Sequence, residues 1–305
     1  MAAPTNVINS AAINYGLSRE FAANFNHDTN QLMQYMGIIA PEPVAAGYAL
    51  EQHTVNGSLN NQGSDASDAA TAGTSGTGYV EGDLVALSKF TVASNPIGKA
   101  KLMPYRKVTT AQAIAEHGVR WSVINTDSKM LATIRADVLG QFFTFLGNGT
   151  GKATGKTLQA ALAQSEAKLG DALETNNDSP TAVVHFINRF DVADYLSNAT
   201  VTTQTAFGMG YLEDFLGVQN VFVTSKVPKG TIYTTDVANI HCFSQDFSSL
   251  AEAGLTYTTS DNGLIGVAHT TLYDHVSVET DVLTGMLLFP EVTDYIVKGT
   301  IAPGA

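Results

Sequence analysis

The sequence lacks several features that define familiar classes of protein. It contains a single cysteine, Cys242, so no disulfide can form within the chain, and we expect this residue to be a buried small hydrophobe. No apolar run approaches the length of a membrane span, and residues 1 to 16 contain neither the basic region nor the apolar region of a secretory signal. We therefore expect a protein that is made and kept in a cytoplasm.

Positive charge is also scarce. The chain has 16 lysine and arginine residues against 28 aspartate and glutamate residues, which gives a net charge of -12. A surface that binds nucleic acid through its phosphates needs the opposite balance, because basic side chains drive the release of counterions. With 305 residues, 44% hydrophobic content and 14% charged residues, the chain is instead typical of a packed protein with room for two cores.

Motifs for catalysis or metal binding are missing as well. The stretch from Gly149 to Thr157, GTGKATGKT, ends like a phosphate-binding loop, but Thr150 replaces the first glycine of that motif and the stretch follows a helix rather than a strand. The histidines never have the spacing of metal ligands, and we expect His185 and His241, inside apolar strands, to be core residues. The sequence therefore predicts no catalytic residue, no metal ligand and no cofactor.

What the sequence does contain is a long amphipathic helix, predicted from Thr126 to Gly147. We expect Thr126 or Asp127 to cap the first turn, and the glycines at 147 and 149 to supply the left-handed turn that ends the helix. Apolar residues recur at spacings of three and four, which places them on one buried face. These predicted core residues are Leu131, Ile134, Val138, Phe142 and Phe145.

A long β-ribbon is predicted before this helix. Residues 44 to 56 and 79 to 110 have the composition of strands, and residues 57 to 78 are expected to be a flexible insertion because they contain hardly any large apolar side chain. An isolated ribbon is marginally stable in water, so this one needs a partner surface. We expect that surface to be acidic because basic side chains gather in the ribbon: Lys89, Lys99, Lys101, Arg106 and Lys107.

The remaining chain predicts helices and strands in a definite order. Residues 18 to 37 form a helix with a thin apolar stripe, which we expect to dock either on its own subunit or on a neighbour. Residues 109 to 118 form a short helix. From 155 to 250 helices alternate with strands, which is typical of an α/β layer, and the tail from 251 returns to strands.

Eight stretches follow one another in an order that is familiar from one family: VEGDLVALSKFT, PYRKVTTAQAI, NTDSKMLATIRADVLGQFFTFL, TLQAALAQ, FINRFDVADYL, TTQTAFGMGYLEDFLG, VPKGTIY and LFPEVTDYIVKGTI. This series resembles the major capsid proteins of tailed bacteriophages, in particular those from phages of Gram-positive bacteria. It covers the chain from residue 79 to the C-terminus. The resemblance implies an α+β fold of the Hong Kong ninety-seven type.

The resemblance also implies a division into domains and a set of contacts. In this family an extended hairpin, the E-loop, lies across a neighbouring subunit. The implied domains are an N-terminal arm and helix at 1–43, the E-loop at 44–110 with an insertion at 57–78, a peripheral (P) domain at 111–154 and 251–305 with its spine helix at 126–147, and an axial (A) domain at 155–250. The implied inter-subunit contacts are Lys89, Phe90, Lys99, Lys101, Tyr105, Arg106 and Lys107.

In function, the resemblance implies a structural head protein rather than an enzyme. Such a protein assembles with its own copies, as hexamers and pentamers, into an icosahedral shell that encloses double-stranded viral DNA without reading its sequence. The implied partners are a scaffolding protein and a portal protein, with no membrane, and the implied location is the virion capsid, assembled in the host cytoplasm. Two alternatives stay open: the shell of an encapsulin-like compartment, and a soluble α/β enzyme.

Overall fold

The computed structural model describes residues 10–35, 41–45, 49–58, 88–99, 101–198, 211–212, 220–261 and 263–302. Contacts divide them into two compact units. A β-hairpin between residues 47 and 99 is one unit, and the described residues before 47 and from 101 onward are the other, which we call the body. Most of the predicted insertion at 57–78 lies outside the described residues.

Five α-helices occur in the described part of the chain: α1 Ser10–Tyr35, α2 Ala111–Val119, α3 Asn125–Leu146, α4 Leu158–Thr175 and α5 Arg189–Asn198. A π-helical turn, Arg120–Ile124, joins α2 to α3, and short 3-10 turns lie at Val237–Asn239, Ser248–Ala253 and Thr293–Tyr295. Helix α4 lies in the segment from 155 to 250, where the sequence predicts that helices alternate with strands. Thr157 caps it, because its hydroxyl accepts a hydrogen bond from the amide of Ala160 at 3.2 Å.

The strands of the described residues are β1 Glu42–Val44, β2 Leu50–Ser58, β3 Lys89–Gly98, β4 Met103–Thr110, β5 Gly151–Gly155, β6 Val183–Asn188, β7 Tyr211–Leu212, β8 Val221–Thr224, β9 Thr231–Asp236, β10 Ile240–Gln245, β11 Thr258–Thr259, β12 Ile265–Leu272, β13 Ser277–Thr284, β14 Met286–Pro290 and β15 Ile296–Ile301. They form four sheets with the orders β1-β10-β14, β11-β12-β13-β4, β5-β15-β9-β6-β8-β7 and β2-β3. The architecture is α+β, as the sequence predicts.

Helix α3 is the predicted spine, and it crosses from one sheet to another. Leu131, Ile134 and Val138 pack with the four-stranded sheet, whereas Phe142 packs with the six-stranded sheet. Of the five predicted core residues, these four are buried, whereas Phe145 is half-buried and packs against the edge of the core around Phe142.

Phe145 is less buried than the other four residues because the two sheets lie on different sides of α3. Near its C-terminal end, the buried face turns toward the six-stranded sheet and brings Phe143 and Leu146 inward in place of Phe145. The rings of Phe142 and Phe143 meet the ring of Phe186 edge-on, with centroids 5.7 and 5.6 Å away. A single stripe of fixed spacing cannot predict such a rotation of the buried face.

Both ends of α3 also differ from the prediction. Among the described residues no side chain caps its first turn, because the π-helical turn runs directly into it and the Thr126 hydroxyl donates to the carbonyl of Ser122 at 2.6 Å. Gly147 has right-handed backbone angles, so no left-handed turn ends the helix. Gly149 is needed for a different reason, since a Cβ there would lie 2.4 Å from the Ile296 carbonyl oxygen.

The four-stranded sheet packs against α3 and α1 with its inner face. Phe21 and Phe25 of α1 join Val267 and Val282 of the sheet in one core. Strand β4 belongs to this sheet, in register with β13 along its whole length. The prediction that the ribbon extends to residue 110 is therefore wrong for residues 103 to 110, whose alternating burial is that of a strand with one face on a core.

The six-stranded sheet packs α4 against one face and the end of α3 against the other. Its strand β15 lies between β5 and β9, so this strand of the tail pairs with the end of the predicted P-domain segment 111–154 on one side and with the predicted A domain on the other. The stretch that resembles a phosphate-binding loop forms β5. A Cβ at Gly155 would lie 2.2 Å from the amide nitrogen of Ala161, so this glycine permits close packing against α4.

His185 is confirmed as a core residue, but its hydrogen bonding is incomplete. Its Nδ1 lies 2.9 Å from Thr234 Oγ1, while Nε2 has no hydrogen-bond partner among the described residues. Burial lowers the pKa of His185 to about 4. His241 was predicted to be a core residue too, but it is exposed on β10 and its Nε2 lies 3.8 Å from Glu291. Cys242 is buried as predicted, and burial raises its pKa to about 12.

The pKa of His185 predicts a loss of stability in mild acid. The unfolded chain binds a proton at this residue near pH 6.5, but the folded chain does so only near pH 4. Stability is therefore fully present above pH 6.5 and falls toward pH 4, with a loss of about 2 kcal/mol at pH 5 from this group alone. Denaturant unfolding of wild type and His185→Gln at pH 7 and pH 5 measures this loss in the free energy of unfolding.

We expect His185→Gln to lose less stability than wild type between pH 7 and pH 5. The exposed His275 provides a matched control, since His275→Gln should keep the wild-type pH dependence. An identical pH dependence in wild type and His185→Gln would contradict the assignment.

Candidate functional site

One face of the hairpin of β2 and β3 carries an apolar patch, which we call the apolar face, next to the polar residues Glu51, His53 and Ser94. In the antiparallel register Val55 lies opposite Val92, and Gly57 lies opposite Phe90, so these residues share a face. Val55, Val92 and Phe90 are 66%, 69% and 55% exposed. The opposite face is mainly polar, with Gln52, Thr54, Asn56, Thr91 and Asn95.

The structure separates the seven predicted contact residues into two groups. Three of them lie on β3 or directly after it and are exposed: Lys89, Phe90 and Lys99. The other four lie on β4 or just before it, in the body: Lys101, Tyr105, Arg106 and Lys107. Their placement in the ribbon is wrong, because residues 103 to 110 pair with β13 and not with β2.

Arg106 and Lys107 are already paired with carboxylates of their own chain. The Arg106 guanidinium contacts Glu279 and lies 3.8 Å from Asp281, and the hydrogen bond to Glu279 raises the pKa of Arg106. Lys107 contacts Asp127. The acidic partners that the sequence placed on an adjacent subunit are therefore, for these two residues, found within the chain.

A groove of about 640 Å³ runs along α3 in the body. The surface of α3 forms the floor of the groove here because Ala136 and Gly140, one turn apart, have little or no side chain. Apolar side chains of β4, α3 and β14 form its walls, and one carboxylate, Asp137, accepts a hydrogen bond from the Tyr105 hydroxyl at 3.1 Å. The apolar wall residues are Met103, Phe145, Met286 and Leu288. The half-buried Phe145 is therefore part of a surface feature.

A buried polar cluster joins α1 to the rest of the body. Asp127 Oδ1 accepts hydrogen bonds from Lys107 Nζ and, at 3.1 Å, from Thr280 Oγ1. Its Oδ2 lies 3.2 Å from His269 Nε2. On the other side of the imidazole ring, Nδ1 lies 2.7 Å from the Ser18 hydroxyl of α1. We call these five residues the Asp127 network; they come from α1, α3, β4, β12 and β13.

The two charged groups of the Asp127 network, the Lys107 ammonium and the Asp127 carboxylate, are both held by hydrogen bonds. The Lys107 ammonium has three acceptors, since besides Asp127 it donates to Thr126 Oγ1 at 2.7 Å and to the Val123 carbonyl at 3.2 Å. Burial alone would raise the pKa of Asp127, but the hydrogen bonds from His269 and Lys107 outweigh it and hold the pKa below its ordinary value. Asp127 is therefore ionised at neutral pH and acts only as an acceptor.

The contact between Ser18 and His269 accommodates either charge state of the ring. Because Asp127 only accepts, Nε2 must carry a proton. In the neutral ring Nδ1 then accepts from the Ser18 hydroxyl. In the charged ring Nδ1 donates to it, and the hydroxyl donates to the Asn14 carbonyl, 2.9 Å away. The hydrogen bond between Ser18 of α1 and His269 of β12 is therefore kept in both charge states of the ring.

The order of Ser18, His269 and Asp127 is that of a nucleophile, a base and an orienting acid. Ser18 is 2% exposed and the His269 side chain is fully buried, so a substrate carbonyl has no access to the hydroxyl. The cavity beside Asp127 measures about 20 Å³, which is close to the volume of one water probe. The arrangement is suited to holding α1 in place and not to attack on a substrate.

Sequence reasoning missed this network because it treated each residue locally. Asp127 was assigned to a helix cap, which is the commonest use of an aspartate at that position. A signal was nevertheless present: Lys107, His269 and Thr280 occupy inward positions of alternating strands, where apolar residues are expected. Polar residues at several such positions indicate a buried network.

The Asp127 network predicts that Ser18 contributes to the docking of α1. Ser18→Ala leaves His269 Nδ1 without its partner in a buried interface, which should cost about 1 to 3 kcal/mol. Hydrogen exchange should then accelerate in α1, while β12 and β13 keep their protection. Ser128→Ala is the matched control, since that exposed hydroxyl donates only to the Ile124 carbonyl within the helix. Unchanged exchange in α1 would contradict this role.

Two searches for other kinds of site gave negative results within the described residues. No group of three or more histidine, cysteine, aspartate or glutamate side chains is arranged to hold a metal ion in this part of the chain. In the same residues, no helix has the length and apolar content needed to cross a membrane.

Comparisons with known proteins identify the fold. The sequence matches no protein-family model and no curated protein. Among solved structures, the bacteriophage PhiM1 mature capsid matches with a TM-score of 0.55 and 8% identity, over 86% of this chain and 85% of that chain. The cyanophage A-1(L) capsid matches with a TM-score of 0.52 and 12% identity, over 89% and 93%.

A third solved structure comes from a shell of another kind. The SrpI encapsulin complex from Synechococcus elongatus matches with a TM-score of 0.53 and 10% identity, over 88% of this chain and 87% of that chain. In each case the likeness covers more than four fifths of both chains, so it concerns most of the topology and not one motif. The chain therefore has the fold shared by phage capsid proteins and encapsulins, the Hong Kong ninety-seven type fold.

Proposed function

We propose that this chain is the major capsid protein of a tailed phage, which assembles with its own copies into a closed shell around double-stranded DNA. The observation that carries the proposal is the hairpin, whose apolar face is exposed in the isolated chain. Two strands alone are marginally stable in water, and an exposed apolar face adds a further cost. Contact with a second copy removes both costs, and the fold is one that phage capsids use.

The receiving surface that fits the hairpin best is the groove along α3 of a neighbouring copy. The groove has a volume of about 640 Å³ and carries four large apolar side chains, beside the polar residues Gln141, Thr144 and Asn148. Its carboxylate, Asp137, complements the basic ends of β3 at Lys89 and Lys99. In this arrangement Phe90, Val55 and Val92 enter the groove, and the lysines lie at its rim.

The finer features of the proposal follow from the family that the sequence resembles. The shell would consist of hexamers and pentamers, would require a scaffolding protein during assembly and a portal at one vertex, and would form in the cytoplasm of a bacterial host. The acidic net charge of -12 fits a shell that encloses DNA without binding its sequence. The protein would act as a structural component, and the Ser18 hydroxyl beside His269 is inaccessible to substrates.

A second candidate is the shell of an encapsulin-like compartment. The match to the Synechococcus elongatus encapsulin favours it, since its TM-score of 0.53 lies between those of the two capsids. The two functions differ in their contents. Nuclease-protected double-stranded DNA inside particles from infected cells would support the capsid, and a co-purifying enzyme without DNA would support the compartment.

The hairpin predicts which surface mutations prevent assembly. Phe90→Asp places a charge on the apolar face, so assembly should be lost while the body remains folded, because a buried unpaired carboxylate is costly. Thr91→Asp is a matched control on the next residue of the same strand, on the opposite face. We expect it to assemble normally. Light scattering measures assembly and circular dichroism measures folding.

Equal assembly of the two variants would contradict the proposed role of the apolar face. A further variant tests the receiving surface: Gly140→Leu fills the groove without disturbing the packing of α3, since nothing lies within 4 Å of a Cβ at this position. It should reduce assembly without lowering the melting temperature of the unassembled chain, because leucine favours a helix more than glycine does.

A further inference from the structure

A pocket of about 500 Å³ opens at one edge of the six-stranded sheet and shares no lining residue with the groove along α3. Strands β5, β15, β6 and β8 of this sheet run in one direction, and β9 runs in the other. The pocket is lined by Ile301, the last residue of β15, by Thr157 after β5, and by Asp191 after β6. It therefore lies at the carboxyl ends of the parallel strands, where α/β sheets commonly bind ligands. We call it the Asp191 pocket.

Asp191 is almost fully buried, with 7% of its surface exposed, but only one of its two carboxylate oxygens has a hydrogen-bond donor. Its Oδ2 accepts from the Gly230 amide at 2.7 Å and so holds the turn before β9. Its Oδ1 has no hydrogen-bond partner among the described residues. The carboxylate is not needed as the cap of α5, because Asn188 Oδ1 already accepts from the Phe190 amide at 2.7 Å. One oxygen of a buried anion is therefore left for a donor that these residues do not supply.

The charges that line the Asp191 pocket favour a positively charged donor. Lys229 Nζ lies 2.8 Å from Asp194 Oδ2, so the one ammonium group of the lining is already paired. Two carboxylates against one ammonium leave an excess of one negative charge. Burial raises the pKa of Asp191 and the charge of Asp194 adds to this rise, whereas the Gly230 amide and Lys229 oppose it without cancelling it. A cation beside Asp191 would compensate the cost of burying its charge.

The rest of the lining favours a cation on an aliphatic chain over a bare ion. Leu158 and Ile301 form part of the pocket wall, next to the apolar core between α4 and the sheet. Asp191 and Asp194 are three residues apart on α5, so their carboxylates lie on the same face of the helix. A short apolar chain with an ammonium group at each end matches both the wall and the two carboxylates.

We propose that the Asp191 pocket binds a short aliphatic diamine. One ammonium group donates to Oδ1 of Asp191, and the carbon chain packs on Leu158 and Ile301. The second ammonium group competes with Lys229 for Asp194. All of these residues belong to one copy of the chain, so the proposal is independent of the shell function.

Isothermal titration calorimetry of the 305-residue chain with putrescine tests the site. We expect one putrescine bound per chain. Asp191→Asn should weaken binding about tenfold, because the amide keeps an oxygen for Gly230 but loses the charge that pairs with the ammonium group. Asp171→Asn is the matched control, since it removes the same charge from an exposed ion pair with Lys168 on α4. It should bind putrescine as the wild type does, and circular dichroism checks that both variants are folded.

Equal weakening by Asp191→Asn and Asp171→Asn would overturn the proposal. It would mean that putrescine is attracted only by the net charge of -12 and not by the pocket.

A second pair of variants tests the competition for Asp194. Lys229→Met removes the ammonium group that competes with the ligand, so putrescine should bind several-fold more tightly. Lys168→Met removes a lysine from a comparable exposed pair outside the pocket and should leave the affinity unchanged. If Lys229→Met bound putrescine no more tightly than Lys168→Met, the proposal would be overturned.

Butylamine distinguishes a diamine from a single ammonium group. It has the carbon chain of putrescine but only one ammonium group, like a lysine side chain, and it should bind the wild type more weakly than putrescine. Equal binding of the two amines would overturn the diamine as the ligand class and would favour a lysine side chain in the pocket. Either result leaves the shell function intact.

Discussion

The body of this protein depends on one buried carboxylate. Asp127 accepts hydrogen bonds from Lys107 and Thr280 and lies beside His269, which in turn contacts Ser18. Removal of one partner from such a group is costly because it leaves a charge unpaired in a region of low dielectric. The network therefore fixes α1, α3 and three strands in a single arrangement, and the apolar contacts around it have a defined register. The groove along α3 belongs to the part of the chain that this network connects.

The hairpin of β2 and β3 differs from the body in how it is stabilised. It forms a separate compact unit, its apolar side chains point to solvent, and its stability as an isolated pair of strands is marginal. A protein that divides its chain in this way keeps one part stable in every state and leaves another part to gain stability on assembly. That division agrees with the fold, which this chain shares with two phage capsids and an encapsulin at sequence identities of 8 to 12%. Such low identity is physically reasonable, since a topology needs apolar positions and turns more than particular residues.

Much of the fold could be predicted from the sequence, but less of the candidate site. Helix α4 and strand β9 agree with the alternation of helices and strands predicted from 155 to 250, because the periodicity of each element is local. The assignment of Tyr105, Arg106 and Lys107 to the ribbon failed because strand pairing is non-local, and residues 103 to 110 fit a ribbon and a sheet equally well by composition. Phe145 is half-buried because α3 packs against two sheets, and the sequence does not show where the second sheet meets the helix. The Asp127 network joins residues as far apart as 18 and 269, a separation over which spacing carries no information.

The central claim of this account is that copies of the chain close into a shell. Electron microscopy of the purified protein, in negative stain and under conditions that favour association, tests it most directly. The account predicts hollow particles of uniform diameter whose protein runs at 32.2 kDa after denaturation. A population that remains monomeric at every concentration and salt condition, with its hairpin folded, would contradict it.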